Sequence, residues 1–468
     1  MMPRSLALLR LIIPPDARAF MPRLLLLALC AGAAQGQLVS EGPDGLVYQP
    51  YANEGQTAAV HTVPDWSRAG YEGGGVEIPF VPTAITLTPS GGDDTAAIQT
   101  AIDTVSALPL VNGFRGAVYL SAGDYTVSDT LNVNASGVLI RGAGQQEVGG
   151  TTVTLTATQQ IDLFVFRGSG GPDGVGPTLP ITDTLVPVGS KTLTVSDAST
   201  IAPGDMIEVR NLVNQAWIDD LGMSAASGFP ATASDPEWTP GAFRPEHFRY
   251  VTAINGNELQ LDAPIVQAIE GQYGGGDVRV HTFDDAIEQV GIEGIRLESS
   301  FASDNDEDHG WRAIRMERVR NGWVRQVTSR YFGMGLILID DNSQFITVED
   351  SACLDPKSVT TGGRKYSFQV DDSTYHLFQR CLTRGGRHDY VSGSKTPGPN
   401  AFVDALATSA FSDIGPHFRY ATGELYDNIK TNNAINVQNR WTSGTSHGWS
   451  GAQVMFWNVE AGGIICDT

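Results

Sequence analysis

Seven short strand-like segments recur through the C-terminal half of the chain, and their spacing leaves few folds open. They read VGIEGIRL (290–297), GWVRQV (322–327), FITVED (345–350), HLFQRC (376–381), AFVDAL (401–406), ELYDNI (424–429) and VMFWNV (454–459). Their starts are 32, 23, 31, 25, 23 and 30 residues apart. A sustained period of roughly 20–30 residues marks a solenoid, in which each repeat buries its apolar side on the next. Helical periodicity is missing between the segments, which excludes leucine-rich and helical arrays, and WD40 blades are longer and carry their own signature. Stacked coils of short strands, a parallel β-helix, fit best. The 53 glycines fall mostly at turn-like positions and show no collagen period, as a fold of many strands and turns requires.

The N-terminal half prepares this solenoid. The segment MPRLLLLALCAGAAQGQ from Met21 has a basic start, a short apolar run and small residues. It reads as a signal peptide over residues 1–36, with residues 1–20 as an upstream extension and cleavage near Gly36 or Gln37. The apolar run is too short for a membrane span, and no later segment approaches one. Residues 37–90 are rich in Gly, Pro and aromatics and read as an irregular segment on the body. In GGDDTAAIQTAIDTVSAL, Asp94 suits an N-cap, and Ala97, Ile98, Ala101 and Ile102 make one apolar helical stripe. Strand-length pieces follow at GAVYLSAGDYTVSDTLNV and GVLIRGAG, so residues 91–182 hold a cap and the first coils. Alternating strands and a turn at Asn255-Gly256-Asn257 predict a small antiparallel insertion over 183–268. The coils then occupy 269–468. The chain stops on GGIICDT without a polar closing segment, so the expectation is a missing end or a cap from elsewhere in the chain.

The run GGDDTAAIQTAID, followed by GAVYLSAGDYTV and GVLIRGAG, resembles the pectate-lyase-like superfamily. The resemblance is carried by residues 91–144, and the later repeats agree with it. It implies an all-β, right-handed parallel β-helix solenoid with a short N-terminal capping helix, here carrying the antiparallel insertion. It also implies a secreted protein. The superfamily spans lyases, hydrolases, epimerases and tailspikes, so fold alone does not choose the reaction.

Charge narrows the partners. A formal net charge of −22 argues against nucleic acid, whose binders present a basic face. Yet residues 309–400 hold 13 Lys/Arg against 9 Asp/Glu. A cationic strip on an anionic body suits an acidic polysaccharide; scattered arginines on solvated turns are the plainer alternative. Of the cysteines, Cys30 lies in the signal, and Cys353 and Cys381 either pair across adjacent coils or sit as buried thiols. Asn134-Ala-Ser is a lone glycosylation sequon.

Aligning the coils on polar positions gives a second pattern: His309-Gly-Trp311, Lys365-Tyr366, His388-Asp389-Tyr390, His417-Phe-Arg419-Tyr420 and His447-Gly-Trp449. Equivalent positions on successive coils stack at about 4.8 Å, so Lys365, His388, His417 and His447 are expected in one line. Repetitive filling of one niche would give the same pattern without any chemistry.

A polyuronate lyase needs a base for the C5 proton, an acid for the leaving oxygen and cations for the carboxylate. The stretch GGRHDYVSG offers His388 as base, Tyr390 as acid and Arg387 as clamp. Lys365 and His417 compete for the proton, and Arg364 and Arg419 for the clamp. Tyr366, Tyr420, His447 and Trp449 complete the substrate contacts. The alternative is a glycoside hydrolase, which needs facing carboxylates. Asp340-Asp341 and Asp371-Asp372, 31 residues apart, supply them or merely form turns. Neither reaction requires a cofactor, although paired acids also suit Ca²⁺. A non-catalytic carbohydrate-binding or adhesive solenoid is the third class, and the oligomeric state stays open.

Overall fold

The computed structural model describes residues 38–43, 45–53, 56–232 and 236–466. The expected signal peptide and Cys30 lie outside these residues. The described chain is nearly all β, with few and short helices.

Three ladders of parallel strands carry the fold. In the first, each expected strand core stacks on the next: Gly291 pairs Trp323, Trp323 pairs Thr347, Thr347 pairs Leu377, and Ala401, Leu425 and Met455 continue the column. The sequence alignment is off by at most one residue in any coil. The second ladder runs through Ala352–Leu354, Leu382–Arg384, Leu406–Thr408 and Lys430–Thr431. The third has seven strands, from Leu131–Val133 through Phe164–Arg167, Arg312–Glu317, Gly335–Asp340, Tyr366–Val370 and His388–Ser392 to Gly415–Pro416.

The core between the ladders is apolar and stacked. Phe378, Phe402 and Tyr426 lie ring on ring at 4.7 and 4.9 Å. Parallel register brings like residues together, so each aromatic finds another one strand spacing away. Cys353 and Cys381 are free thiols buried in this core, not a disulfide.

The chain turns from the first ladder to the second on a single residue, and the same conformation recurs at each turn. Gln326, Asp350, Arg380, Asp404, Asn428 and Asn458 have φ of 54°, 51°, 52°, 52°, 53° and 50°. This left-handed region disfavours L-residues other than Asn and Asp. Side-chain bonds along the corner offset the strain: Asn458 donates to Asn428 at 3.3 Å, Asn428 to Asp404 at 2.6 Å, and Arg380 to Asp350 at 2.7 Å.

Helix Thr95–Ser106 buries Ile98, Ala101, Ile102 and Val105 against the same core. Ala97 is exposed, and Val105 takes its expected place. Asp94 is not a side-chain cap. Its carboxylate accepts from Ser90 N and Thr126 N, and Asp93 bonds Thr95 N instead.

A separate six-stranded antiparallel sheet runs from Asp173–Pro180 to Gly276–Thr282, wider than residues 183–268. Gly256 makes the expected tight hairpin between Glu246–Asn255 and Glu258–Leu261. The N-terminal segment lies over the first ladder, where Trp66 Nε1 donates to Gly423 O and Tyr71 N to Thr347 Oγ1.

Candidate functional site

The third ladder carries Asp340, Asp371 and His388 of the expected site residues. Register fixes where each side chain falls. Glu317 pairs Asp340, Asp371 follows Asp340 in the same column, and Gly393 comes next. At the other end of the strands, Tyr366 pairs His388. One end of the face is therefore lined with carboxylates and the other with imidazoles.

At the acid end, Asp340 accepts from Arg315 Nη2 at 3.2 Å and from Asp341 N at 2.8 Å. Asp371 has only Gln369 Nε2, at 3.3 Å. Its carboxyl is pushed up to about 7, first by the protein crowded around it and then by the charges of Asp340 and Asp372. It keeps access to solvent despite that crowding, being only half-buried. A Cβ at residue 393 would fall on the Asp371 carboxyl, so only glycine leaves it room. The second acid of each pair does different work. Asp341 and Asp372 sit at φ 55° and 42°, the left-handed turn positions that Asp tolerates. Asp341 pairs Arg318 at 3.2 Å. The Asp372 carboxyl is also raised by crowding and by Asp340, but its surface is exposed and water screens it, so Asp371 is the better-defined acid.

At the imidazole end, the rings come together although the strand register does not align them. His388 and His417 centroids are 4.4 Å apart, His417 and His447 5.0 Å, and Tyr366 lies 5.0 Å from His388. Tyr366 Oη and His417 Nε2 share a hydrogen bond of 3.1 Å. Desolvation lowers His388 to about 4, His417 to about 2 and His447 to about 4. These are neutral imidazoles near pH 7. His388 and His417 are only 2% and 7% exposed. Asp413 anchors the group through its carbonyl to His388 Nδ1 at 2.7 Å and its carboxylate to Arg440.

Several residues expected at the site are elsewhere. Tyr390 is fully buried in the core, stacked on Phe368 at 5.4 Å, and its hydroxyl donates to Cys381 O and Leu406 O. Two consecutive residues, Asp389 and Tyr390, both turn inward, which breaks the alternation that would have put Tyr390 beside His388. Asp389 takes a bond from Ser367 Oγ at 2.5 Å, and burial raises its carboxyl to about 6. Lys365 is not in line with His388. Its left-handed backbone, φ 58°, turns Nζ to Thr360 Oγ1 and over the Phe411 ring. His309 is also out of line, held between Ser299 Oγ and Lys357 O.

The expected clamps divide similarly. Arg364 is fully engaged by Glu307, at 2.9 and 2.7 Å. Arg387 bonds the Gly362 carbonyl and Arg419 bonds Thr445. Tyr420 and Trp449 anchor the insertion's loop, through Gln267 Oε1 and Leu221 O. Of the thirteen cations in 309–400, ten are ion-paired, leaving Lys365, Arg387 and Lys395 without a carboxylate among the described residues. Sequence reasoning missed Arg315 and Gln369, which flank the acids. Their signal was present: they stand two residues before Glu317 and Asp371, on the same strand face.

No group of three or more His, Cys, Asp or Glu is placed to hold a metal ion among the described residues. Likewise, no described helix is long and apolar enough to cross a membrane.

No family model and no curated protein matches the sequence. Solved structures give distant likenesses. The tailspike gp49 of Pseudomonas phage LKA1 is 14% identical with a TM-score of 0.41, over 78% of this chain and 57% of the tailspike. An iota-carrageenase in complex with iota-carrageenan fragments is 11% identical with a TM-score of 0.34, over 77% of this chain and 57% of that one. An alginate lyase from Paenibacillus sp. str. FPU-7 is 8% identical with a TM-score of 0.34, over 82% of this chain and 100% of that one. The chain thus spans little more than half the length of the first two.

Proposed function

We propose that the chain is a secreted carbohydrate-active enzyme on a right-handed parallel β-helix, capped by helix Thr95–Ser106, and that it hydrolyses an acidic polysaccharide at Asp371 and Asp340. The observation that carries this reading is the contrast between the two acids. Asp371 holds its proton near neutral pH on a solvent-reached face, and Asp340, next in the column, bonds a guanidinium. Glycoside hydrolysis needs this division: one carboxylic acid gives its proton to the glycosidic oxygen, and one carboxylate faces the sugar carbon while water supplies the new C–O bond. The cations without carboxylate partners, Lys365, Arg387 and Lys395, suit an anionic chain. The N-terminal sequence supports secretion.

A β-elimination lyase is the second reading, favoured by the Tyr366–His417 hydrogen bond with Arg387 close by. There the neutral imidazole takes the C5 proton and the tyrosine protonates the leaving oxygen. It replaces the assignment to His388 and Tyr390, which the core position of Tyr390 removes. A panel of uronate and sulfated polymers separates the two. Hydrolysis yields reducing ends without ultraviolet absorbance of an unsaturated uronate; elimination yields both. Binding with no product on any polymer leaves the adhesive reading and sinks both enzymes.

A further inference from the structure

The insertion reaches the acid end at Asp372, the chain neighbour of Asp371. Where strands Met206–Asn211, Glu246–Asn255 and Gly276–Thr282 approach the Asn342 and Asp372 corners, they enclose a cavity of about 230 Å³. Its lining is mixed. Phe248, Pro172 and Pro397 offer apolar surface, while His281, Thr374 and Lys395 offer polar groups.

The polar groups are incompletely used. The His281 side chain is 10% exposed and packs edge-on to Phe248 at 5.4 Å. Its Nε2 lies 3.2 Å from Glu208, and Nδ1 has no hydrogen-bond partner. Thr374, 2% exposed, has an unpartnered hydroxyl. Lys395 Nζ reaches only the Ala242 carbonyl, at 3.3 Å. Leaving a buried polar atom unpaired is costly, and such atoms at a cavity wall mark a place for a ligand that satisfies them. Of the other charges, Arg244 pairs Glu246 at 2.5 Å and Glu208 faces His281, while Asp372 lines the cavity without an ion pair among the described residues.

We propose that this cavity is a subsite for one pyranose ring of the glycan, next to the bond cut at Asp371; in that it rests on the hydrolase reading. The ring's C–H face lies on Phe248 and the prolines, and its hydroxyls meet His281, Thr374 and Lys395. Apolar cover with a few converging polar groups is how small-molecule sites fix orientation. The antiparallel insertion, rather than the ladders, then selects the sugar.

The test is a glycan array probed with the full chain. Wild type and Asp371→Asn bind the same glycans, while Thr374→Val and Lys395→Met weaken that binding at least tenfold at an unchanged melting temperature. Thr374→Ser restores it. Unchanged binding in Thr374→Val and Lys395→Met, or no glycan bound by wild type, overturns the subsite. Full cleavage by Asp371→Asn with binding still lost in Lys395→Met overturns the hydrolase reading and keeps the subsite.

Discussion

The two ends of the third ladder's outer face answer one problem in opposite ways. Both gather ionisable side chains from successive passes, and Asp371 at one end and the three histidines at the other are pushed toward their neutral forms, since crowding disfavours charge. The acid end gains a carboxyl that titrates near 7 and that solvent still reaches. The imidazole end gains uncharged rings packed against one another, of which His388 and His417 are almost closed to solvent. A perturbed group marks chemistry only where something can reach it. By that measure Asp371 outranks His388, although the sequence had singled out the histidine.

Substitution at the two ends gives the largest contrast. Asp371→Asn lowers kcat by about 100- to 10,000-fold, the usual worth of a general acid. His388→Ala leaves kcat within a few-fold and lowers the melting temperature instead. Rates measured on the degraded polymer check this, and the opposite ranking moves the site to the imidazole end.

pH sharpens the same contrast. The rate falls as pH rises through about 7, where Asp371 loses its proton. Asp372→Asn removes a neighbouring negative charge and shifts that limb to lower pH. In stability the ends have opposite signs. Asp371 titrates above a free carboxyl's roughly 3.9, so its contribution is lost as pH rises from there to about 7. His388 titrates near 4 when folded, below a free histidine's roughly 6.5, so its contribution is lost as pH falls from 6.5 to 4. Urea midpoints followed over this range show His388→Ala flattening the low-pH slope alone.

The smallest effect concerns Tyr390. Replacing it with Phe removes two hydrogen bonds to core carbonyls and costs about 1–2 kcal/mol of stability with kcat unchanged, as denaturation and rate measurements on one preparation would reveal.

Much of the ladder architecture was legible because strand-length apolar runs recur every 23 to 32 residues, and stacking turns that recurrence directly into contacts. The site was only half legible. The sequence marked Asp340 and Asp371 and gathered the histidines, but spacing alone does not say which way a side chain turns. In GGRHDYVSG a break in alternation sends Asp389 and Tyr390 into the core, and nothing in the composition announces it. Two glycines of that stretch each make room for a carboxyl: Gly386 for Asp389 and Gly393 for Asp371. The insertion's His281 was invisible to a reading built on repeats, since it belongs to none.

The left-handed corners make each pass of chain an exchangeable cassette. A corner such as Asp350, Arg380 or Asp404 fixes where one pass hands over to the next by backbone shape, independently of what the outward face carries. A pass cut from corner to corner is the natural unit of duplication, deletion or exchange, provided its inward rings match their new neighbours. Outward chemistry in this molecule is thus re-dealt one pass at a time, and a chain with Asp371's pass repeated keeps the acid's setting only where glycine follows it in the column.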